Sequence, residues 1–206
     1  MIRVILLIIM FMCSSFTYAS DINFSAGFSK ISLRQGQEIL TLEDNAEVQA
    51  DTLNIKADEI ILSGDDYSII ECSGNIVIDD EEKDISIKTR KIFYNRETER
   101  LIISSYSEIE DFTNEFIASA SSINYDMKNN VLALEVQVNL VKITDEDVLK
   151  ITADKVIYDT ENESILLQGS AKVKWGEDDY SAEVISIDLE TDEIKLEGGI
   201  TGVINA

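Results

Sequence analysis

The chain contains no histidine and no proline, only two cysteines and one tryptophan, and 17 basic against 40 acidic side chains in 206 residues. Each shortage excludes something. Without imidazole the commonest general base, the serine-triad partner and the usual zinc ligand are all missing. Carboxylate pairs are too numerous for any one of them to stand out as a glycosidase dyad. No catalytic residue, no metal and no cofactor is therefore expected. Proline removes a ladder donor from a sheet, so its absence suits long runs of paired strand. The formal charge of −23 rules out nucleic acid as a partner, because phosphates are bound by a basic face. It also disfavours a direct grip on anionic headgroups; an amphiphile would be held by its acyl chains or through divalent cations. What remains is 45% hydrophobic and 28% charged, enough for a packed core.

The N-terminus has a different character. Arg3 is followed by the apolar run Val4 to Met12, then Ser14 and Ser15, then Thr17-Tyr18-Ala19. A positive start, a short apolar stretch and small residues before a cleavage point form the layout of a secretory signal peptide, residues 1–19. The run is about half the length needed to span a bilayer. An uncleaved anchor and a lipidated Cys13 are the other readings, the latter disfavoured by bulky Met10-Phe11-Met12. Removing residues 1–19 takes away Arg3 alone, so the charge of −23 becomes −24. The remainder, 20–206, reads as a single domain. It keeps only Cys72, either a small buried hydrophobe or a thiol open to an external partner, with no internal disulfide.

Self-comparison gives the main signal. Ala153 with Val156-x-Tyr158 recurs as Ala57 with Ile60-x-Leu62, Thr89 with Ile92-x-Tyr94, Ala120 with Ile123-x-Tyr125, and Ala182 with Ile185-x-Ile187. The anchor falls at 60, 92, 123, 156 and 185, giving steps of 32, 31, 33 and 29 residues. A polar turn follows each anchor, then an alternating pair: Leu101 and Ile103, Leu132 and Leu134, Ile165 and Leu167, Ile194 and Leu196. In several units a glycine comes next, Gly74, Gly169 or Gly198, leading to Ile76 and Ile78, to Ala171 and Val173, or to Ile200. Leu40, Leu42, Ala46 and Val48 look like a degenerate half-unit that opens the array.

The internal period is two, which is strand. The alternation slips by one between the small residue and the anchor, three positions apart, in every unit. A slip at a fixed place predicts a β-bulge or corner that re-aims the strand, with Asp58, Asp154 and Glu183 as turn chemistry. One unit cannot bury its apolar side alone, so the units are expected to stack, with helix nearly absent after residue 20. The third unit, 107–136, departs from the pattern with Asp111 and Glu115 at positions where apolar residues are expected. The acidic runs 79–82, 145–147 and 177–179 lack the spacing of calcium loops and read as solvated turns.

Gly74 to Ile78 (GNIVI), Ile151 to Asp159 (ITADKVIYD) and Ile165 to Gly169 (ILLQG), repeated in phase over 38–204, resemble the OstA-like, or LptA, family of periplasmic lipopolysaccharide-export proteins. The resemblance implies an all-β fold: an elongated, twisted β-jelly roll, solenoid-like, of about five repeats of roughly 31 residues. It implies an apolar interior that receives acyl chains of lipopolysaccharide or another acylated lipid. It also implies membrane-anchored export components at both ends, head-to-tail assembly by strand addition and a periplasmic location. The groove lining would come from Ile55, Ile60, Leu62, Ile76, Ile78 and Ile87 in the first units. Ile92, Tyr94, Ile123, Tyr125, Leu132 and Leu134 would supply the middle, and Val156, Tyr158, Ile165, Leu167, Val173 and Ile187 the last units. The uncharged tail with Ile200 and Val203 is the expected docking edge. The tyrosines at 94, 125 and 158 have two readings, a ladder along a lipid groove or plain core. The rival to a carrier is a structural β-solenoid with a dry, packed core and no cargo.

Overall fold

The strand β4, Leu53–Ser63, shows how the fold is built. Leu53, Ile55 and Ala57 are buried at alternate positions, and the next buried residues are Ile60 and Leu62. The slip coincides with a break in register against both neighbouring strands. The same break recurs wherever two long strands pair: at 73–76, 135–138, 152–155 and 168–171. The bulges therefore line up across the sheet, and each strand turns its two halves around that line.

A computed structural model describes residues 21–34, 37–143, 148–191 and 193–204. The signal segment, Cys13 and the acidic run 145–147 lie outside them. Among the described residues, sixteen strands form one antiparallel sheet. They are β1 Asn23–Ser25, β2 Phe28–Arg34, β3 Gln37–Ala50, β4, β5 Ile69–Asp80, β6 Ile85–Asn95, β7 Arg100–Ile103 and β8 Ser107–Asp111. Then come β9 Phe116–Ala120, β10 Ser122–Asp126, β11 Val131–Ile143, β12 Val148–Asp159, β13 Ser164–Trp175, β14 Asp178–Asp188, β15 Glu193–Glu197 and β16 Thr201–Val203. Two single-turn 3-10 segments, Asp65–Tyr67 and Met127–Asn129, are the only helical pieces among the described residues.

The long strands follow one another as a meander, and several short ones pair across one or two intervening strands, so contacts stay local in sequence, as in stacked repeats. Ile60, Tyr94, Val156 and Leu167 are wholly buried. With no helical layer to cover them, the sheet itself covers its inner face, and it does so by folding along the bulge line into a roll. Twelve strands on the main path at about 4.8 Å spacing make a body on the order of 50 Å long. Each strand, halved at its bulge, reaches only about 20 Å. The result is the all-β, elongated body that the repeat predicts, in the form of the twisted roll that the family resemblance implies.

The array starts earlier than the repeat indicates. β3 is a full strand of 14 residues, and β1 and β2 pair with its two halves. In the irregular third unit the strands are severed at the bulge line. β7 and β8 pair with the two halves of β6, and β10 and β9 with the two halves of β11. Thr89, Ser105 and Ser107 fill the break with a hydroxyl cluster: Thr89 Oγ1 lies 2.7 Å from Ser105 Oγ, and Ser107 Oγ donates to Thr89 Oγ1 at 2.9 Å.

Candidate functional site

All eighteen residues expected to line the interior fall in one hydrophobic cluster and are 0–3% exposed. The inner face is packed. The partner pair Ile194 and Leu196 is only partly buried, near the end of the roll. Trp175 ends β13 and packs partly buried against the core. Cys72 is buried as well, and burial, with the Glu71 carboxylate beside it, pushes its thiol up to about 12. It is a neutral, enclosed thiol at pH 7.

The tyrosines do more than fill space. The hairpins lie in two rows, one along each free side of the folded sheet. The first row contains the turns at 51–52, 81–84 and 112–115; the second contains those at 64–68, 96–99, 127–130 and 160–163. Aspartates start many of these turns. Asp80 accepts from the amides of Glu82 and Lys83, Asp126 from that of Asn129, and Asp159 from those of Glu161 and Asn162. Backbone bonds then link turn to turn along each row. In the first, Glu81 N donates to Thr52 O and Phe112 N to Asp84 O. In the second, Arg96 N donates to Ser68 O, Met127 N to Glu99 O and Thr160 N to Asn130 O.

Side chains join one row to the other. Tyr94, near the second row, donates to Asp51 Oδ2 of the first at 3.0 Å. The Arg96 guanidinium grips the same carboxylate with two bonds of 3.2 Å. One repeat pair further on, Tyr158 donates to Asp111 Oδ2 at 3.3 Å, and Asn114 Nδ2 donates to the Tyr158 oxygen at 2.7 Å. Phe116 meets the Tyr158 ring edge-on at 5.8 Å between centroids. Tyr125 occupies the middle station and faces Asp80, but neither its hydroxyl nor Asp80 Oδ2 completes a hydrogen bond. Burial first, and the facing carboxylate second, raises the phenol pKa of all three tyrosines. Burial likewise raises Asp80, against the lowering effect of its bonds from the Lys83 and Glu82 amides. A cavity of ≈ 430 Å³ lies between the rows, with Asp51, Asp80 and Lys83 on one side and Tyr94, Arg96 and Lys128 on the other.

Among the described residues the sheet has two open edges. At one end β1 and β2 present Phe24, Phe28, Ile31 and Leu33, all more than half exposed. At the other, β16 pairs with half of β14, and Ile200, Val203 and Ile204 are exposed. Val203 belongs to the terminal strand, whereas Ile200 sits in the link before it. Among the described residues no group of three or more acidic or cysteine side chains is placed to hold a metal ion.

No family model matches the sequence, and no curated protein matches it. Among solved structures the chain is similar to LptH, the LptA-homologous periplasmic component of the conserved lipopolysaccharide transport device from Pseudomonas aeruginosa. The identity is 12%, the match covers 90% of this chain and 96% of that one, and the TM-score is 0.30. A likeness at this level leaves function to be argued from the chain's own residues.

Proposed function

We propose that this chain is an exported, periplasmic lipid-bridging protein that carries lipopolysaccharide or a less charged acylated lipid between the inner and outer membranes. The observation that supports it is a continuous apolar inner face, running the length of the roll between two unpaired apolar edges. Acyl chains entering that interior would gain about 25 cal/mol per Å² removed from water. Strand addition at Val203, with Ile200 beside it, and at the β1–β2 edge would join copies head to tail, or join the ends to membrane-anchored export components. The repeat's resemblance to the OstA-like family supports the same reading. No chemistry is assigned to the chain.

The complete burial of the eighteen inner residues favours a second reading, a structural roll with a dry core and no cargo. Native mass spectrometry of protein taken from its own envelope separates the two. The carrier reading expects an acylated-lipid adduct, and head-to-tail oligomers that Ile200→Lys abolishes. Bare protein, folded and exported, would support the structural reading, and oligomers unaffected by Ile200→Lys would count against the docking edge.

A further inference from the structure

We infer that the roll opens sideways between its two rows of turns, with the bulge line as hinge and the Tyr94–Asp51 and Tyr158–Asp111 bonds as clasps. The inference concerns how the closed body parts, and it stands whether or not a cargo is carried. Three independent features of the geometry meet here.

The first is what holds each side together. Within a row, consecutive turns share backbone hydrogen bonds, from Thr52 to Glu81 and from Asp84 to Phe112 on one side. From Ser68 to Arg96, Glu99 to Met127 and Asn130 to Thr160 they do so on the other. Each lip is therefore a tied unit. Among the described residues, the bonds found from lip to lip are made by side chains: Tyr94 and Arg96 to Asp51, and Tyr158 to Asp111 with Asn114. Parting the lips breaks no ladder bond.

The second is the hinge. Along the line where the strands bend, alternate strands place residues in the left-handed region: Gly74, Val136, Gly169 and Gly198 have φ of 101°, 66°, 72° and 72°. Register is already broken there, so a change of angle costs little pairing. Gly169 abuts Asp154 on the next strand so closely that an added Cβ would fall 2.5 Å from the carboxylate oxygen.

The third is the middle station. Tyr125 and Asp80 occupy the place of a clasp, yet the Tyr125 hydroxyl and Asp80 Oδ2 are buried without completing a bond. The cavity between the lips lies beside this gap. The seam is fastened at both ends of the series and slack in its centre.

Cys72 supplies the probe. It points into the closed interior from β5, 3% exposed. Its labelling by a thiol reagent under native conditions, read on the Cys72 peptide by mass spectrometry so that Cys13 does not interfere, reports opening. Tyr94→Phe and Tyr158→Phe each remove one bond to a carboxylate and are expected to speed labelling roughly tenfold, with the double variant faster still. Tyr125→Phe removes no completed bond and should label as the unaltered protein does. Opening at the seam leaves the strand ladders intact, so labelling must depend on denaturant less steeply than global unfolding does. Equal rates in all variants would overturn the inference. So would rates that climb with denaturant as steeply as global unfolding, because Cys72 would then be reached only through the unfolded chain.

Discussion

At the scale of single residues, the polar groups carry the information that the apolar ones do not. Asp111 breaks the alternation in the sequence and reads there as an irregularity; in the roll it is 4% exposed and accepts from Tyr158. Its partner lies 47 residues away, and that of Tyr94 lies 43 away. Nothing in local periodicity registers such a pairing, so the seam was illegible in the sequence although each tyrosine and each aspartate was visible. Asp80 is the weakest member, with one oxygen bonded to two amides and the other unsatisfied. Its carboxyl titrates above the ordinary range because burial penalises the anion. A raised carboxylate pKa in the fold means stability present at low pH and lost as pH rises through that value. Asp80→Asn, which keeps an acceptor for both amides, is expected to stabilise the protein at pH 7 by about 1 kcal/mol. The gain should shrink as pH falls into the carboxylate range. Asp126, Asp159 and Asp188 behave oppositely: bonds from Asn129, Asn162 and Thr191 lower them, so their contribution is lost on acidification. The difference in thermal midpoint between variant and parent, taken at both pH values, isolates Asp80. A midpoint below the parent's at pH 7 would contradict the assignment.

At the scale of the element, the bulge was legible and its chemistry partly so. A one-residue slip at a fixed place in every unit is a local pattern, and it maps onto the register breaks. Asp58, Asp154 and Glu183, read as turn chemistry, pack against Gly74, Gly169 and Gly198 of the adjacent strand, and Asp58 also accepts from the Asn75 amide at 3.0 Å. The severed strands of the third unit were not legible, because a break filled by hydroxyls has no period. Val136 holds the position that is glycine in β5 and β13, at φ 66° and exposed. A left-handed L-residue costs about 1–2 kcal/mol, and a β-branched one is a poor occupant. Val136→Gly is expected to raise the thermal midpoint by roughly 2 °C for a chain of this size, while Gly169→Val should lower it by more. Differential scanning calorimetry on both variants reads the pair. A lowered midpoint for Val136→Gly would mean that the side chain contributes more than its backbone strain costs.

At the scale of the whole molecule, the repeat made the roll legible because each unit contributes the same apolar stripe and needs its neighbours to bury it. The ends were less so. β2 carries only the short alternation of Ile31 and Leu33 and lacks the anchor motif, and β1 and β2 extend the array to a second exposed edge. The acidic surface opposes edge-to-edge association of a body with two unpaired edges, and the proposed carrier role places the amphiphile in the interior. The most direct test of that claim is photo-crosslinking in living cells, with a benzophenone amino acid at Tyr125 or Tyr158 and at the outward-facing Lys155 as control. Lipid captured at the inner positions and not at Lys155 is the result expected of a carrier. Inner positions free of lipid, in protein shown to be folded and exported, would contradict the carrier account.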